Sequence, residues 1–271
     1  MNVLTHKVIV ITGASSGIGA ACALDFATYE TKLVLAARNT DKLLRVAEAC
    51  KAKGAEVITV ACDVSKEEDC QRLIEESIKA FGTIHVLVNN AGISMRALFE
   101  KTELHVIRQV MDINFWGTVY CTKYALPYIL KEKGSVVGVS SIAGYKGLPG
   151  RTGYSASKFA MQGFLEALRV ENMKKGLHVL IACPGYTASN IRNVALNNEG
   201  KAQSETPLDE SKLMQPEEVA RYITQAVIHR KRTLVLTAQG KMAVLLNKFF
   251  PALTDKLVYN TIAKEPDSPF K

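Results

Sequence analysis

Short runs of apolar residues alternate with amphipathic stretches along most of the chain. Seven runs have the length and composition of strands: 7–12, 32–37, 55–61, 84–92, 134–141, 176–185 and 232–237. Between them, apolar residues at helical spacing predict helices at 17–29, 40–53, 66–81, 103–130, 153–175 and 216–229. The strand runs are almost continuously apolar, as expected where helices cover both faces of a sheet. The pattern therefore predicts an α/β fold, a Rossmann-like, doubly wound parallel sheet of about seven strands, with ligands at the carboxyl ends of the strands.

Two segments depart from this alternation. Residues 186–215 form a long polar connection after the sixth strand, where a loop commonly covers a bound ligand. Residues 241–264 carry apolar residues at helical spacing interrupted by Pro251, which predicts a C-terminal extension of two short helices. Because we find no internal repeat and no low-complexity linker, we expect one domain over residues 1–271.

Composition narrows the classes of function. The net charge is +8, but the basic residues are scattered and are not interleaved with aromatic ones, so we expect no nucleic-acid partner. The six cysteines form no Cys-x-x-Cys motif and no cluster with histidine, which favours free thiols, a reducing cytoplasmic setting and no metal site. No apolar run reaches about 18 residues, the usual length of a membrane-spanning helix.

The stretch TGASSGIG at 12–19 follows the first strand directly. Glycines there permit a tight turn and let the backbone approach a pyrophosphate at the N-terminus of the next helix, where free N–H groups favour negative charge. Glycine-rich turns are common in α/β proteins, but the position at strand one makes dinucleotide binding the better interpretation. The predicted phosphate-binding residues are Gly13, Ser15, Ser16, Gly17, Ile18 and Gly19.

The end of the second strand bears on the choice of dinucleotide. Sheets that bind NAD often place an acid here for the ribose 2′-hydroxyl, whereas an arginine accommodates the 2′-phosphate of NADP. Arg38 occupies this place, and the first acid beyond it is Asp41. Arg38 could instead be an ordinary surface arginine. Because it accompanies the glycine turn, we favour NADP(H) as the cofactor.

Further short motifs follow in order: CDVS at 62–65, NNAG at 89–92, the Asn of DINFWG at 112–117, VSSIAG at 139–144, YSASK at 154–158 and CPG at 183–185. With TGASSGIG they closely resemble the single-domain branch of the short-chain dehydrogenase/reductase superfamily, over residues 5 to 237. Within it the chain looks most like the group containing 11β-hydroxysteroid dehydrogenase and the dehydrogenase/reductase member 7 proteins. The resemblance implies an NADP(H)-dependent oxidoreductase that exchanges hydride with a carbonyl compound or secondary alcohol.

The same resemblance implies the catalytic residues. Tyr154 would be the acid/base, Lys158 its neighbour, Ser141 the group that steadies the substrate oxygen, and Asn114 a water-holding residue. Tyr154 and Lys158 are four residues apart and so share one helix face, where an ammonium would favour the phenolate of a group with an ordinary pKa of about 10. In isolation the pair could be a surface tyrosine over a lysine stem, and Asn114 could simply stabilise a helix kink.

Contacts to cofactor and substrate complete what the resemblance implies. Asp63 would bond the adenine with Val64 packed on it, although Asp63 could also cap the following helix. In PGYTAS, Thr187 stands in the family's hydrophobic position and Ser189 in its threonine position. The cofactor set beyond the glycine turn is Arg38, Asp63, Val64, Asn90, Ala91, Gly92, Tyr154, Lys158, Pro184, Gly185, Thr187 and Ser189. The expected pocket walls are Met95, Ile142, Tyr145, Leu148 and Tyr186 beside Ser141 and Tyr154, which favours an apolar ketone or hydroxy compound.

Association with partners is suggested in two places. In the family, helices such as those at 103–130 and 153–175 commonly pair with their copies in a homodimer or homotetramer, through outward residues such as Phe115, Tyr120, Phe164 and Leu168. The apolar face of 241–264 could close over the substrate pocket, pack on a partner subunit, or rest on a membrane with its lysines near anionic headgroups.

Two functions other than catalysis compete with this interpretation. A non-catalytic protein could keep the fold and sense NADP(H) occupancy, although the intact serine, tyrosine and lysine argue against it. The positive charge and the 241–264 segment would also suit a module that binds anionic surfaces.

Overall fold

The computed structural model describes residues 3–188, 191–192, 194–203, 213–265 and 268–270. In these ranges seven strands form one parallel sheet: β1 (Val8–Thr12), β2 (Lys32–Ala37), β3 (Glu56–Ala61), β4 (Val86–Asn89), β5 (Ser135–Val139), β6 (His178–Cys183) and β7 (Thr233–Val235). Their order is β3-β2-β1-β4-β5-β6-β7. The winding reverses between β1 and β4, so the crevice that binds ligands in such sheets opens at the carboxyl ends of these two strands. The predicted Rossmann-like sheet is confirmed.

Helices cover both faces of the sheet and extend beyond it. They are α1 (Gly17–Ala27), α2 (Thr40–Lys51), α3 (Glu67–Phe81), α4 (Leu104–Met111), α5 (Gly117–Lys131), α6 (Thr152–Glu171), α7 (Pro216–Ile228), α8 (Ala238–Phe249) and α9 (Pro251–Ala263). The last two meet at Pro251, as the interrupted apolar pattern predicts. No helix in the described ranges has the length and apolar character needed to cross a bilayer.

The core lies in two layers, one on each face of the sheet. Along β1, Ile9 and Ile11 point into the layer shared with α1, α2 and α7, whereas Val10 between them points into the layer shared with α3, α5 and α6. All three side chains are fully buried, and each such burial stabilises the fold by about 1.5–3 kcal/mol. This two-sided burial explains why the strand sequences are continuously apolar.

The long helix predicted over 103–130 is divided in the structure. Between α4 and α5 lies a π-helical segment, Asp112–Trp116, in which Asn114 makes side-chain contacts to other elements. Such π-helical turns are frequently found at functional sites. The second long helix ends at Glu171 rather than at residue 175, and a short 3₁₀ turn, Met173–Lys175, leads to β6.

Candidate active site

The glycine turn between β1 and α1 has the conformation that its sequence predicts. Gly13 and Gly17 have φ angles of 65° and 54°, in the left-handed region that favours glycine. A Cβ atom at Gly13 would lie 2.8 Å from the Cα atom of Ala91, and one at Gly19 would collide with the carbonyl oxygen of Gly13. The N-cap residue Ser16 makes no capping bond with its side chain within the described part of the chain, so the first N–H groups of α1 face the cleft without that partner.

Asn90 and Thr12 hold this turn against the end of β4. Asn90 Nδ2 donates to the carbonyl oxygens of Thr12 and Gly13, at 3.0 and 3.2 Å. Thr12 Oγ1 accepts from the backbone N–H groups of Asn90 and Ala91, both at 3.1 Å, and donates to Val88 O at 3.3 Å. Thr12 was not predicted as a site residue, and its only signal in the sequence is its place before the first glycine.

A cleft of about 550 Å³ runs along the carboxyl ends of the central strands. Among the predicted cofactor residues its walls contain Gly13, Ser15, Ser16, Gly17, Ile18, Arg38, Asp63, Val64, Asn90, Ala91 and Gly92. Gly19 stands behind this wall, where it lets α1 approach the turn. The wall residues that were not predicted from the sequence are Ala37, Asn39, Cys62, Ile93, Ile113, Ile191 and Val194.

The far end of the cleft carries the residues predicted to select the adenine half. Arg38 is exposed at its rim, and Asn39 beside it caps α2 by accepting from the backbone of Lys42 at 2.9 Å. Asp63 Oδ1 accepts from both the N–H and the hydroxyl of Ser65, at 3.1 and 2.8 Å. Asp63 therefore orders the turn before α3 and also lines the cleft.

A second cavity, of about 150 Å³, continues the cleft toward β5 and α6. The two share Ile18, Asn90, Gly92 and Ile191, so they form one continuous groove. Its other walls include the predicted residues Ser141, Leu148, Tyr154, Lys158, Pro184, Gly185, Tyr186 and Thr187.

Ser141, Tyr154 and Lys158 converge in this second cavity. Ser141 follows β5 and begins a short 3₁₀ turn, where its Oγ accepts from Ala143 N at 3.1 Å. The first two turns of α6 carry the tyrosine and the lysine on their inner face, with Lys158 Nζ 5.7 Å from the centre of the Tyr154 ring. Lys158 Nζ also donates to the carbonyl oxygen of Val139 at 2.9 Å, which anchors it to the end of β5.

Burial dominates the electrostatics of this group. Burial raises the pKa of Tyr154, while a hydrogen bond with Ser141 and the positive charge of Arg151 act in the opposite direction. Burial also lowers the pKa of Lys158 to about 8. The structure thus differs from the expectation that the lysine lowers the pKa of the phenol, because the loss of water around Tyr154 outweighs the charges near it.

Asn114 connects three elements around the kink. Its Oδ1 accepts from Ile93 N at 2.8 Å, and its Nδ2 donates to Ile93 O and Ser157 Oγ, both at 2.9 Å. The side chain is fully buried, and the backbone carbonyl oxygen of Asn114 accepts from Thr118 Oγ1 at 3.0 Å. These contacts support the kink-stabilising interpretation; the water-holding role stays a prediction.

Comparison with known proteins shows the family to which the chain belongs. The model of the short chain dehydrogenase family matches residues 7–200. The chain belongs to the short-chain dehydrogenase family. Members of this family are oxidoreductases that use a nicotinamide cofactor.

Plant relatives of this short-chain dehydrogenase include proteins named 11-beta-hydroxysteroid dehydrogenase A. The protein of Sesamum indicum is 34% identical over 271 residues, which cover 96% of this chain and 78% of the relative. The protein of Arachis hypogaea is 37% identical over 281 residues, which cover 97% and 78%. These matches confirm the resemblance to the 11β-hydroxysteroid dehydrogenase group.

Two solved structures of similar proteins contain NAD in one case and an NADP analogue in the other. A short-chain dehydrogenase/reductase from Burkholderia phymatum in complex with NAD has a TM-score of 0.83 and 26% identity, covering 93% of this chain and 96% of that one. An alcohol dehydrogenase from Thermococcus sibiricus complexed with 5-hydroxy-NADP has a TM-score of 0.74 and 25% identity, covering 85% and 96%.

Several predicted wall residues of this short-chain dehydrogenase lie away from the cavity. Met95 is fully buried among Val106, Val110 and Leu196, because its segment pairs with the segment at Leu196. Tyr145 packs in the core layer of α3, α5 and α6, where burial raises its pKa to about 12.

Ile142 also misses the cavity, since it lies under α8 against Gly240. Ser189 and parts of the 186–215 loop lie outside the described residues. The cavity wall also contains five residues that were not predicted from the sequence and do not line the first cleft: Ser94, Val139, Ser140, Arg151 and Arg192.

Proposed function

We propose that this short-chain dehydrogenase is an NADP(H)-dependent enzyme that interconverts a carbonyl compound and a secondary alcohol, with Tyr154 as its acid/base. The observation that carries the proposal is the convergence of Ser141, Tyr154 and Lys158 on one cavity that continues the glycine-turn cleft. A cleft of this kind suits a dinucleotide whose reactive ring reaches the cavity.

The residues present fit a dinucleotide. Gly13 lets the turn pack closely against Ala91 at the end of β4, and the N-terminus of α1 presents N–H groups to a pyrophosphate. Arg38 lies at the rim where the adenosine half would end, and Lys158 lies where it could hold the nicotinamide ribose. When bound, the nicotinamide supplies or accepts the hydride.

The side chains of the cavity would handle the proton and the developing charge. In reduction, Tyr154 donates its phenolic proton to the substrate oxygen, and in oxidation it takes a proton from the alcohol. The Ser141 hydroxyl donates a hydrogen bond to the same oxygen and so stabilises its negative charge. Because burial raises the pKa of Tyr154, the phenol holds its proton near neutral pH, which favours reduction.

The choice of NADP(H) over NAD(H) rests on Arg38. Its guanidinium is exposed at the cleft and has no ion-pair or hydrogen-bond partner among the described residues, so it is available to a phosphate. An arginine and a phosphate form charge-assisted, often bidentate hydrogen bonds. In the described part of the cleft wall the only acid is Asp63.

We expect Arg38→Asp to weaken binding of NADPH far more than binding of NADH, by at least about tenfold in the ratio of the two dissociation constants. The carboxylate removes the contact and also repels the 2′-phosphate. Titration of NAD(P)H fluorescence measures both constants. The control is Arg45→Asp, which makes the same charge change on the exposed side of α2. Equal affinity of the wild-type protein for both cofactors would contradict the NADP preference.

A peripheral contact with an anionic membrane is supported by the surface of α8 and α9. Seven large apolar side chains there are 46–60% exposed: Met242, Leu245, Phe249, Phe250, Leu253, Leu257 and Tyr259. Their exposure argues against the alternative that this face closes over the substrate cavity. Residues 241–264 contain four lysines, and the acid of this segment, Asp255, is paired with Lys146. Apolar anchors flanked by lysines suit a bilayer with anionic headgroups.

Co-sedimentation with vesicles of anionic phospholipid at low salt tests this contact. We expect the wild-type protein to bind, and the double variant Phe249→Asp/Leu253→Asp to bind at least about tenfold more weakly, because it removes two anchors and adds two negative charges. The control Leu44→Asp/Tyr222→Asp adds the same charges at exposed apolar positions of α2 and α7. The membrane contact would be refuted by wild-type protein that stays in the supernatant.

Assembly with a second copy is supported by an aromatic cluster formed by the π-helical segment, α5 and α6. Phe115 contacts Trp116 and Phe164 at ring-centre distances of 5.4 and 6.4 Å, and Trp116 stacks on Tyr120 at 5.6 Å. Trp116 is 43% exposed. Leu168, expected to point outward, is instead buried in the core because it faces the sheet.

Analytical ultracentrifugation tests this assembly. We expect a dimer or tetramer at micromolar concentration, and a shift toward monomer in Trp116→Glu, because a charge at the centre of an apolar interface is left unpaired. Tyr222→Glu on α7 is the matched control. Monomer alone in the wild-type protein would contradict the proposal.

A reducing, cytoplasmic setting is supported by the thiols. All six cysteines are free and buried. Burial raises the pKa of Cys183 to about 12 and that of Cys50 to about 11, which keeps both thiols protonated and unreactive.

A further inference from the structure

Arg151 lies at the entrance of the catalytic helix and faces the same cavity as Tyr154. It is the N-cap residue of α6, three positions before the tyrosine, and it is 9% exposed. Its side chain lines the cavity together with Ser141 and Tyr186. Its charge also acts on Tyr154 directly, since it lowers the pKa of the phenol against the effect of burial.

The hydrogen-bonding capacity of Arg151 is only partly used. Its Nη2 lies 3.9 Å from a carboxylate oxygen of Glu265, but the same oxygen accepts from Arg96 Nη2 at 2.8 Å. Its Nη1 is buried and has no hydrogen-bond partner among the residues that the structure describes. A buried donor without a partner is costly, and in native proteins such a group commonly has a role or a missing partner.

The charged side chains of the described cavity wall are all cations. The described wall contains the cations Arg151, Lys158 and Arg192 and neither an aspartate nor a glutamate. Arg192 already donates to the carbonyl oxygen of Thr187 at 2.9 Å, and Lys158 to that of Val139. Arg151 is therefore the cation of this wall with an unused buried donor.

From this geometry we propose that the substrate carries, besides its reacting carbonyl or hydroxyl group, a carboxylate that Arg151 binds. The substrate class would be oxo acids and the corresponding hydroxy acids, in place of the apolar ketone that the sequence favoured. A guanidinium binds a carboxylate through paired, charge-assisted hydrogen bonds and so fixes its orientation. This inference rests on the proposed function for its reaction, but carboxylate binding is measured separately.

Binding is tested on the protein saturated with NADP⁺, by thermal shift with pairs of non-reducible compounds that differ only as carboxylic acid and methyl ester. We expect the acid to raise Tm and to bind at least about tenfold more tightly than its ester. Arg151→Gln should abolish the difference and Arg151→Lys should keep part of it, because it keeps the charge. Arg45→Gln on the exposed side of α2 is the control. Equal binding of acid and ester to the wild-type protein overturns the inference, whatever the activity.

Turnover is tested with NADPH on oxo acids of increasing chain length and on their methyl esters. We expect kcat/KM to favour the acid by about tenfold or more, and the preference to disappear in Arg151→Gln. If esters are reduced as well as acids and the reaction needs Tyr154, the proposed function stands and the inference falls. If acids bind in an Arg151-dependent manner but no compound is reduced, the carboxylate site stands and the proposed reaction falls.

Discussion

Tyr154→Phe should lower kcat at least about a hundredfold, the lower range for a general acid–base contribution. The substitution removes the phenolic proton that the substrate oxygen would receive and keeps the ring that lines the cavity. The ammonium of Lys158, held by Val139 O, cannot take its place without leaving the end of β5. The fold and the affinity for NADPH should stay close to those of the wild-type protein, since the aromatic ring and its packing are kept.

Steady-state kinetics on any substrate found for the wild-type protein measures this loss, with NADPH titration and a melting curve as checks of the fold. Tyr222→Phe, which removes a phenol from the exposed surface of α7, is the matched control. Near-normal turnover by Tyr154→Phe would refute the acid/base assignment.

Lys158→Met should change how stability depends on pH. Burial lowers the pKa of this lysine from 10.5 to about 8, so in the folded protein the ammonium is disfavoured relative to the unfolded chain. As the pH falls from about 10.5 to about 8, the unfolded state gains a proton that the folded state does not, and the wild-type protein loses stability. The loss is about 1.4 kcal/mol per pH unit, or about 3 kcal/mol in all, and is complete below pH 8.

Methionine fills similar space and carries no proton, so the variant should lack this dependence. Urea unfolding at a series of pH values measures the free energy of unfolding of both proteins. We expect the difference between them to move in favour of the variant as the pH falls through this range. The bond to Val139 O is lost at every pH and shifts the curves without changing their slopes. Lys42→Met, at an exposed position of α2, is the control. Parallel curves for wild type and Lys158→Met would show that the lysine is not perturbed.

The sheet and its ligand-binding edge were predictable because they depend on local patterns. In β1 the two faces are both apolar, since Ile9 and Val10 enter different core layers, and this leaves a continuous run in the sequence. The glycine turn was equally predictable, because the left-handed φ angle at Gly13 favours glycine at that position. In both cases the local structure restricts which residue type can occupy the position, so the sequence alone shows it.

The divided helix was not predictable in this way. Asn114 bonds to Ile93 and Ser157, which are distant in sequence, and periodicity records only neighbours along one helix. The same limit explains the substrate wall. Met95 follows a cofactor motif closely, yet whether it faces the cavity depends on its pairing with the segment at Leu196.

Arg151 shows the limit most clearly. Arginines are mostly exposed, so the residue type alone does not indicate one buried beside a catalytic tyrosine. It lies near Glu265, which comes from beyond α9 and also pairs with Arg96. The position three residues before Tyr154 was the available signal, since such residues share a side of the helix entrance.

Transfer of deuterium from NADPH labelled at the reactive carbon of its nicotinamide tests the central claim most directly. The protein would be incubated with the labelled cofactor and a panel of aliphatic, aromatic and steroid ketones, aldehydes and oxo acids, and the products examined by mass spectrometry. We predict an alcohol carrying one deuterium, formed by the wild-type protein and at least about a hundredfold more slowly by Tyr154→Phe. Tight NADPH binding with no labelled alcohol from any compound would contradict the account and favour a protein that senses the cofactor without using it.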